Sequence, residues 1–88
     1  NIIIIDVRES HEFSINSIKN SLLIPLKNIT NKNEIKKIKD ISKGKKLFLV
    51  CESGKRSLKA LIKLQEYGVE GTNIEGGIKS WLKEVKGK

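Results

Sequence analysis

Four consecutive isoleucines, Ile2-Ile3-Ile4-Ile5, form the first apolar run of the chain. An amphipathic strand would alternate apolar with polar residues. An unbroken β-branched run suits a strand buried on both faces, as in the middle of a parallel sheet. Parallel neighbours need a long crossover between them, usually a helix. The run therefore dictates what must follow, which is short apolar stretches alternating with amphipathic helices.

The remaining sequence fits that demand. Asp6-Val7-Arg8 ends the first strand, and Glu9 to Ser14 reads as a short helical turn with Ser10 or Asp6 as its cap. Leu22-Leu23-Ile24 is a second short run, stopped by Pro25, the only proline, which disfavours a helical Ile24. Ile35, Ile38 and Ile41 recur every third residue with Lys36, Lys37 and Lys39 between them, the stripe of an amphipathic helix. Asn33 can cap its start and Gly44 its end. Leu47 to Val50 is the next strand. Leu58, Leu61, Ile62 and Leu64 give the following helix, about Ser57 to Tyr67, an apolar side, with Lys59, Lys63 and Glu66 opposite and Gly68 closing it. Thr72-Asn73-Ile74 is a short strand and Gly76-Gly77 a turn. Ile78, Trp81, Leu82 and Val85 form the inner face of a last helix. Strand and helix alternate four times, which predicts an α/β fold with a parallel or mostly parallel sheet covered by helices on both faces.

Length and composition narrow the class. Eighty-eight residues make one small domain, 1–88, with a thin stability margin. One cysteine forms no intramolecular disulfide, and one Cys with one His closes no zinc site, so neither metal nor cofactor is expected. The net charge of +8 comes from sixteen Lys and only two Arg. Scarce arginine, four aromatics and evenly spread lysines read as a solvated surface rather than a nucleic-acid footprint, although the charge favours anionic substrates by steering. No segment approaches the ~18 apolar residues of a membrane span, and no signal peptide is visible. A reduced, cytoplasmic setting is the expectation. The chain opens on Asn1 without a starting Met, so a segment upstream is also expected.

Cys51 follows the strand Leu47–Val50 and precedes the loop Glu52-Ser53-Gly54-Lys55-Arg56 and Ser57 at the start of a helix. Ligands of open α/β sheets bind outside the carboxyl ends of strands, where Cys51 sits. Gly54 lets backbone N–H groups turn inward as an anion nest, Ser53 and Ser57 offer hydroxyls, and Lys55 and Arg56 bring positive charge. These features favour a thiolate or a terminal persulfide anion. A small core cysteine is the bland alternative, against which the polar, doubly basic loop weighs.

Three stretches carry a family resemblance. Asp6-Val7-Arg8-Glu9 with Glu12-Phe13, Ile18 and Ile24-Pro25 resembles the opening motif of the rhodanese domain. Cys51-Glu52-Ser53-Gly54-Lys55-Arg56-Ser57 is similar to its active-site loop, and Glu75-Gly76-Gly77-Ile78 with Trp81 to its closing motif. The likeness spans about residues 2–82. It implies a three-layer α/β/α fold with five strands in a mainly parallel sheet, so four to five are expected here. It also implies a sulfurtransferase that carries sulfane sulfur as a persulfide on Cys51. The donor would be a small anion such as thiosulfate or a small-molecule or protein persulfide, and the acceptor a thiol, cyanide or a protein. Loop residues Glu52 to Ser57 would bind the substrate. Arg8 would join them, or would instead pair with Asp6, Glu9 or Glu12 to order the turn.

Two departures stand out. The family's Gly-His before the residue matching Ile18 is replaced by Asn16-Ser17, where Asn16 can take a left-handed conformation. His11 is expected to be merely exposed. The family's first strand and helix, before Ile2, are absent from this sequence. Other functions compete. A phosphatase or arsenate reductase of this fold uses Cys-x5-Arg to wrap a phosphate, and Cys51 to Arg56 is one residue shorter. A non-catalytic module or a sulfur relay within a larger protein shares the domain.

Overall fold

A computed structural model describes residues 1–86, without the side chains of 84–86. The chain order is β1 (Ile2–Asp6), α1 (Ser10–Ile15), β2 (Leu22–Leu23), a 3₁₀ turn (Leu26–Thr30), α2 (Lys32–Ile41), β3 (Lys46–Val50), α3 (Lys55–Glu66), β4 (Thr72–Asn73) and α4 (Gly77–Lys86). The strands form one four-stranded sheet in the order β2-β1-β3-β4, every pair parallel. The α/β class and the parallel sheet are as the sequence predicts.

The isoleucine run explains the layering. β1 lies between β2 and β3, with Ile5 opposite Leu22 on one side and Leu49 on the other. Side chains alternate across a strand, so Ile3, Ile5 and Val7 enter one core and Ile4 the other. The larger core joins Ile5 and Val7 to Leu47, Leu49 and Cys51 of the β3 row and to Ile35, Ile38, Ala60, Leu61 and Leu64 of α2 and α3. The smaller core, on the opposite face, gathers Ile18, Val50 and Ile78, with Ile4, Ile74 and Leu82 against them. Both sheet edges, β2 and β4, are two residues long, which leaves little edge for another chain to pair with.

Local detail departs from expectation in several places. Glu9 and Glu12 form a capping box at α1, in place of a Ser10 or Asp6 cap. Asn31, not Asn33, caps α2 and accepts from the Asn33 N–H at 2.8 Å. A 3₁₀ turn follows Pro25, where the sequence pattern marks no element, and it buries Ile29. α3 begins at Lys55, two residues before the expected Ser57, because Gly54 takes φ 99° and turns the chain into the helix. The inner stripe of α3 is Ser57, Ala60, Leu61 and Leu64, whereas Leu58 and Ile62 are exposed. A single-face stripe on a helix holds i, i+3, i+4 and i+7, and Leu58 and Ile62 flank it. Ile78 is buried, but Trp81 is 38% exposed. Val85 lies outside the residues whose side chains are described. Asn16 is extended, at φ −157°, and Asn20 takes the left-handed conformation instead.

Candidate active site

The sheet order creates the site. From β1 the chain crosses to β2 on one side, and from β3 it crosses to β4 on the other. The carboxyl ends of β1 and β3 therefore diverge at a topological switch point, the place where open α/β sheets bind ligands. Asp6 pairs with Val50 there, so Val7-Arg8 and Cys51-Glu52 leave the sheet side by side.

Cys51 is 1% exposed, and its sulfur is surrounded by donors. The Gly54 N–H lies 3.0 Å from Sγ, and the Ser57 N–H and hydroxyl each lie at 3.3 Å. Burial pushes the thiol up. Hydrogen bonds from the Ser57 hydroxyl and from the Ser57, Gly54 and Ser53 amides outweigh it and hold Cys51 below the ordinary thiol range. The first amides of α3 have no partner within the helix, so they reinforce this preference for an anion.

The closing Gly76-Gly77 segment is part of the loop's frame. At the start of α4 the Ile78 N–H donates to the Cys51 carbonyl at 2.8 Å, and the Lys79 N–H to the Glu52 carbonyl at 3.4 Å. Gly77 is buried at φ 63°, and a Cβ there would collide with both carbonyl oxygens. Helix start and active-site loop thus touch backbone to backbone, which only glycine permits.

Lys55 and Arg56 occupy the first turn of α3 with no acidic residue beside them. Cations are disfavoured at the positive end of a helix, so the local sequence works against the helix and for an anion at its tip. The two differ in surroundings. Lys55 is exposed and has no ion pair among the described residues. Arg56 reaches across the cleft to α1, where both terminal nitrogens donate to Glu12 at 2.7 Å. The hydrogen bonds from Arg56 and from the Glu9 backbone, against some burial, lower Glu12 from 4.5 to about 2, and the same pair raises Arg56. The stabilisation from Glu12 is complete above 4.5 and disappears as pH falls through about 2. Replacing Glu12 by Gln should therefore cost about 1 kcal/mol at neutral pH. The difference in thermal stability from wild type should narrow steadily on acidification across that window. An equal difference at every pH would refute this account of the pair.

Arg8 takes the ion-pair arrangement. It is 3% exposed, and its Nε and one terminal nitrogen donate to Asp6 at 3.0 and 2.9 Å. Its terminal nitrogens also reach the Asn16 side chain at 3.1 Å and the Asn16 carbonyl at 2.6 Å. The guanidinium staples the end of α1 to the end of β1, a role for Asn16 that the sequence did not suggest. Arg8, Glu12, Asn16, Glu52 and Lys79 line a cavity of about 150 Å³ beside the loop, floored by Ile15, Ile78 and Leu82. Glu52 and Ser53 are exposed. His11 is also exposed, on α1. Asn73 of β4 went unnoticed in the sequence. It donates to the Gly54 carbonyl at 3.1 Å and accepts from the Ser57 hydroxyl. Among the described residues no three His, Cys, Asp or Glu side chains gather as a metal site. No helix there is long and apolar enough to cross a membrane.

The fold and the site together define an α/β domain with a donor-wrapped cysteine at the switch point of a parallel sheet. Comparison with known proteins narrows the class. Residues 1–84 match the rhodanese-like domain, and the chain belongs to that family. It is 36% identical over 98% of its length to the adenylyltransferase and sulfurtransferase UBA4 of Yarrowia lipolytica, spanning only 21% of that protein. It is 34% identical over 97% of its length to YtwF of Bacillus subtilis, which carries a sulfurtransferase name, spanning 78% of it. Among solved structures, a rhodanese-related protein of Thermoplasma volcanium superposes with a TM-score of 0.80 at 35% identity, covering 94% of this chain and 78% of that one.

Proposed function

We propose that the chain is a sulfurtransferase whose Cys51 carries a sulfur atom between a donor and an acceptor. The single observation that supports this best is the set of donors converging on Cys51 Sγ from Gly54 and Ser57. That geometry stabilises a negative charge on a sulfur held just past the carboxyl end of β3. Family membership and sulfurtransferase-named relatives point the same way.

The steps balance without a redox partner. The Cys51 thiolate attacks the outer sulfur of thiosulfate or of a persulfide. An S–S bond forms, the donor's S–S bond breaks, and sulfite or a thiolate leaves with the electron pair. An acceptor thiolate or cyanide then attacks the terminal sulfur and returns Cys51 as thiolate, which is two-step covalent catalysis. Among the loop residues, Lys55 supplies the charge not already matched by a carboxylate and draws in an anionic donor. Arg56 shares its charge with Glu12 and positions α1 against the loop. Both Arg56 terminal nitrogens face a carboxylate and the loop is one residue short of a phosphate cradle, so hydrolysis of aryl phosphates is not expected.

Intact-mass spectrometry after incubation with thiosulfate, or with glutathione persulfide, tests the reading. The expected product gains one sulfur atom on Cys51 and loses it to cyanide or dithiothreitol. No adduct with either donor would sink it. Lys55→Ala should raise the KM for thiosulfate several-fold while leaving thermal stability nearly unchanged, the scale of one partly solvated charge contact. An unchanged KM would remove Lys55 from donor binding. UBA4 combines an adenylyltransferase with a sulfurtransferase in its name. By analogy, a protein-borne acceptor is the natural alternative to a small thiol.

A further inference from the structure

The hydrogen bonds around Ser57 cannot all form at once, and Asn73 shows which one yields. The Gly54 carbonyl can only accept, so the Asn73 atom 3.1 Å from it must be the Nδ2 donor. The other end of that amide, Oδ1, has no hydrogen, and it faces the Ser57 hydroxyl. Ser57 has a single hydroxyl proton, and it therefore points at Asn73 and away from sulfur. What Ser57 then presents to Sγ at 3.3 Å is a lone pair, which can accept the proton of a neutral Cys51 thiol. When Cys51 ionises, the same hydroxyl has to turn from Asn73 to sulfur, and the bond to Asn73 is lost.

We propose that Asn73 is a positioning residue that competes with Cys51 for the Ser57 proton, so that forming the anion costs the Ser57–Asn73 bond. Asn73 suits such a role. It sits on β4 in register with Leu49 of β3, so it is fixed by the sheet rather than carried on the loop. The Ile74 N–H donates to the Leu49 carbonyl at 2.9 Å, which locks the backbone beside it. Ser57 is fully buried, so water does not reach its hydroxyl. The arrangement is a three-member relay, Cys51 to Ser57 to Asn73, anchored on the Gly54 carbonyl. It gives a buried nucleophile two protonation states separated by one hydroxyl rotation. The inference rests on Cys51 being the nucleophile, yet its test reads the thiol and not the transfer of sulfur.

The experiment is the pH profile of Cys51 alkylation by iodoacetamide. Ser57→Ala should move the apparent pKa up, because a donor to the anion is gone. Asn73→Leu should move it down by about one unit, because the Ser57 proton is then free for sulfur. In the Ser57→Ala background Asn73→Leu should do nothing, since no proton remains to redirect. An upward shift in Asn73→Leu, or the same shift with and without Ser57, would overturn the proposal and leave Asn73 as a loop anchor through Gly54. If Asn73→Leu folds poorly, Asn73→Asp keeps the acceptor facing Ser57. Its upward shift should then be larger with Ser57 present than absent, and equal shifts would overturn the relay. Sulfur loading measured in parallel separates the two readings. Failure to load with a Ser57-dependent shift refutes sulfur transfer alone.

Discussion

Cys51→Ser should carry no sulfur after incubation with thiosulfate or a persulfide, and its sulfurtransferase turnover should fall by at least a thousandfold, to background. The reason lies in the chemistry of the atom rather than in the fold. Serine fits the 1% exposed site, and the Gly54 and Ser57 amides can satisfy its hydroxyl as they do the sulfur. Serine holds its proton far above neutral pH, and its oxygen cannot form the S–S bond that stores the transferred atom. Removing a covalent nucleophile from a preserved site usually leaves only the residual effect of binding. Thermal unfolding should show the variant folded. A persisting adduct in Cys51→Ser would place the chemistry elsewhere, and with no second cysteine in the chain it would exclude a persulfide mechanism.

Gly77→Ala should damage both stability and activity. The added methyl would meet the backbone carbonyls of Cys51 and Glu52, and backbone cannot yield as a side-chain tip can. The residue also sits at φ 63°, where alanine is strained by about 1–2 kcal/mol before any collision is counted. Overpacking of this kind adds about 1–3 kcal/mol, so a loss on the order of 3 kcal/mol is expected. For a domain near this size that lowers the melting temperature by roughly 10–20 °C. Relief of the clash must separate α4 from the loop and break the bond from the Ile78 amide to the Cys51 carbonyl. Thiol alkylation of the folded fraction should therefore slow along with the fall in stability. Gly68→Ala is the control. It shares a positive φ but has nothing within 4 Å of the added carbon. Equal losses in the two variants would show that backbone strain alone, and not contact with the loop, explains the requirement at Gly77.

Much of this architecture was legible because strong local signals and long-range demands coincide. The isoleucine run could be stable only between two strands and two helical layers, and the alternating pattern supplied them. Cys51 and its loop were legible because a thiol, a glycine and two cations in one short segment form a chemical pattern of their own. Contacts between segments far apart were less visible. Arg56 lies 44 residues from Glu12, and nothing near Arg56 announces that its charge is already matched. Asn73 sits in a two-residue strand where one polar residue looks like a solvated edge, so its place under the loop emerges only from the β3–β4 register. Leu58 and Ile62 misled because apolar residues on a helix mark a face only when their spacing is weighed against its width.

The bonds from the Ile78 and Lys79 amides to the Cys51 and Glu52 carbonyls carry a consequence for how the protein comes into being. The thiol is made early, just after β3, but its loop's frame is completed by the last helix described. During vectorial synthesis the Cys51 loop is therefore made before its frame, and its two carbonyls find their partners only after α4 has emerged and docked. A chain cut before Gly77 would lack both bonds and leave the Cys51 and Glu52 carbonyls without their α4 partners.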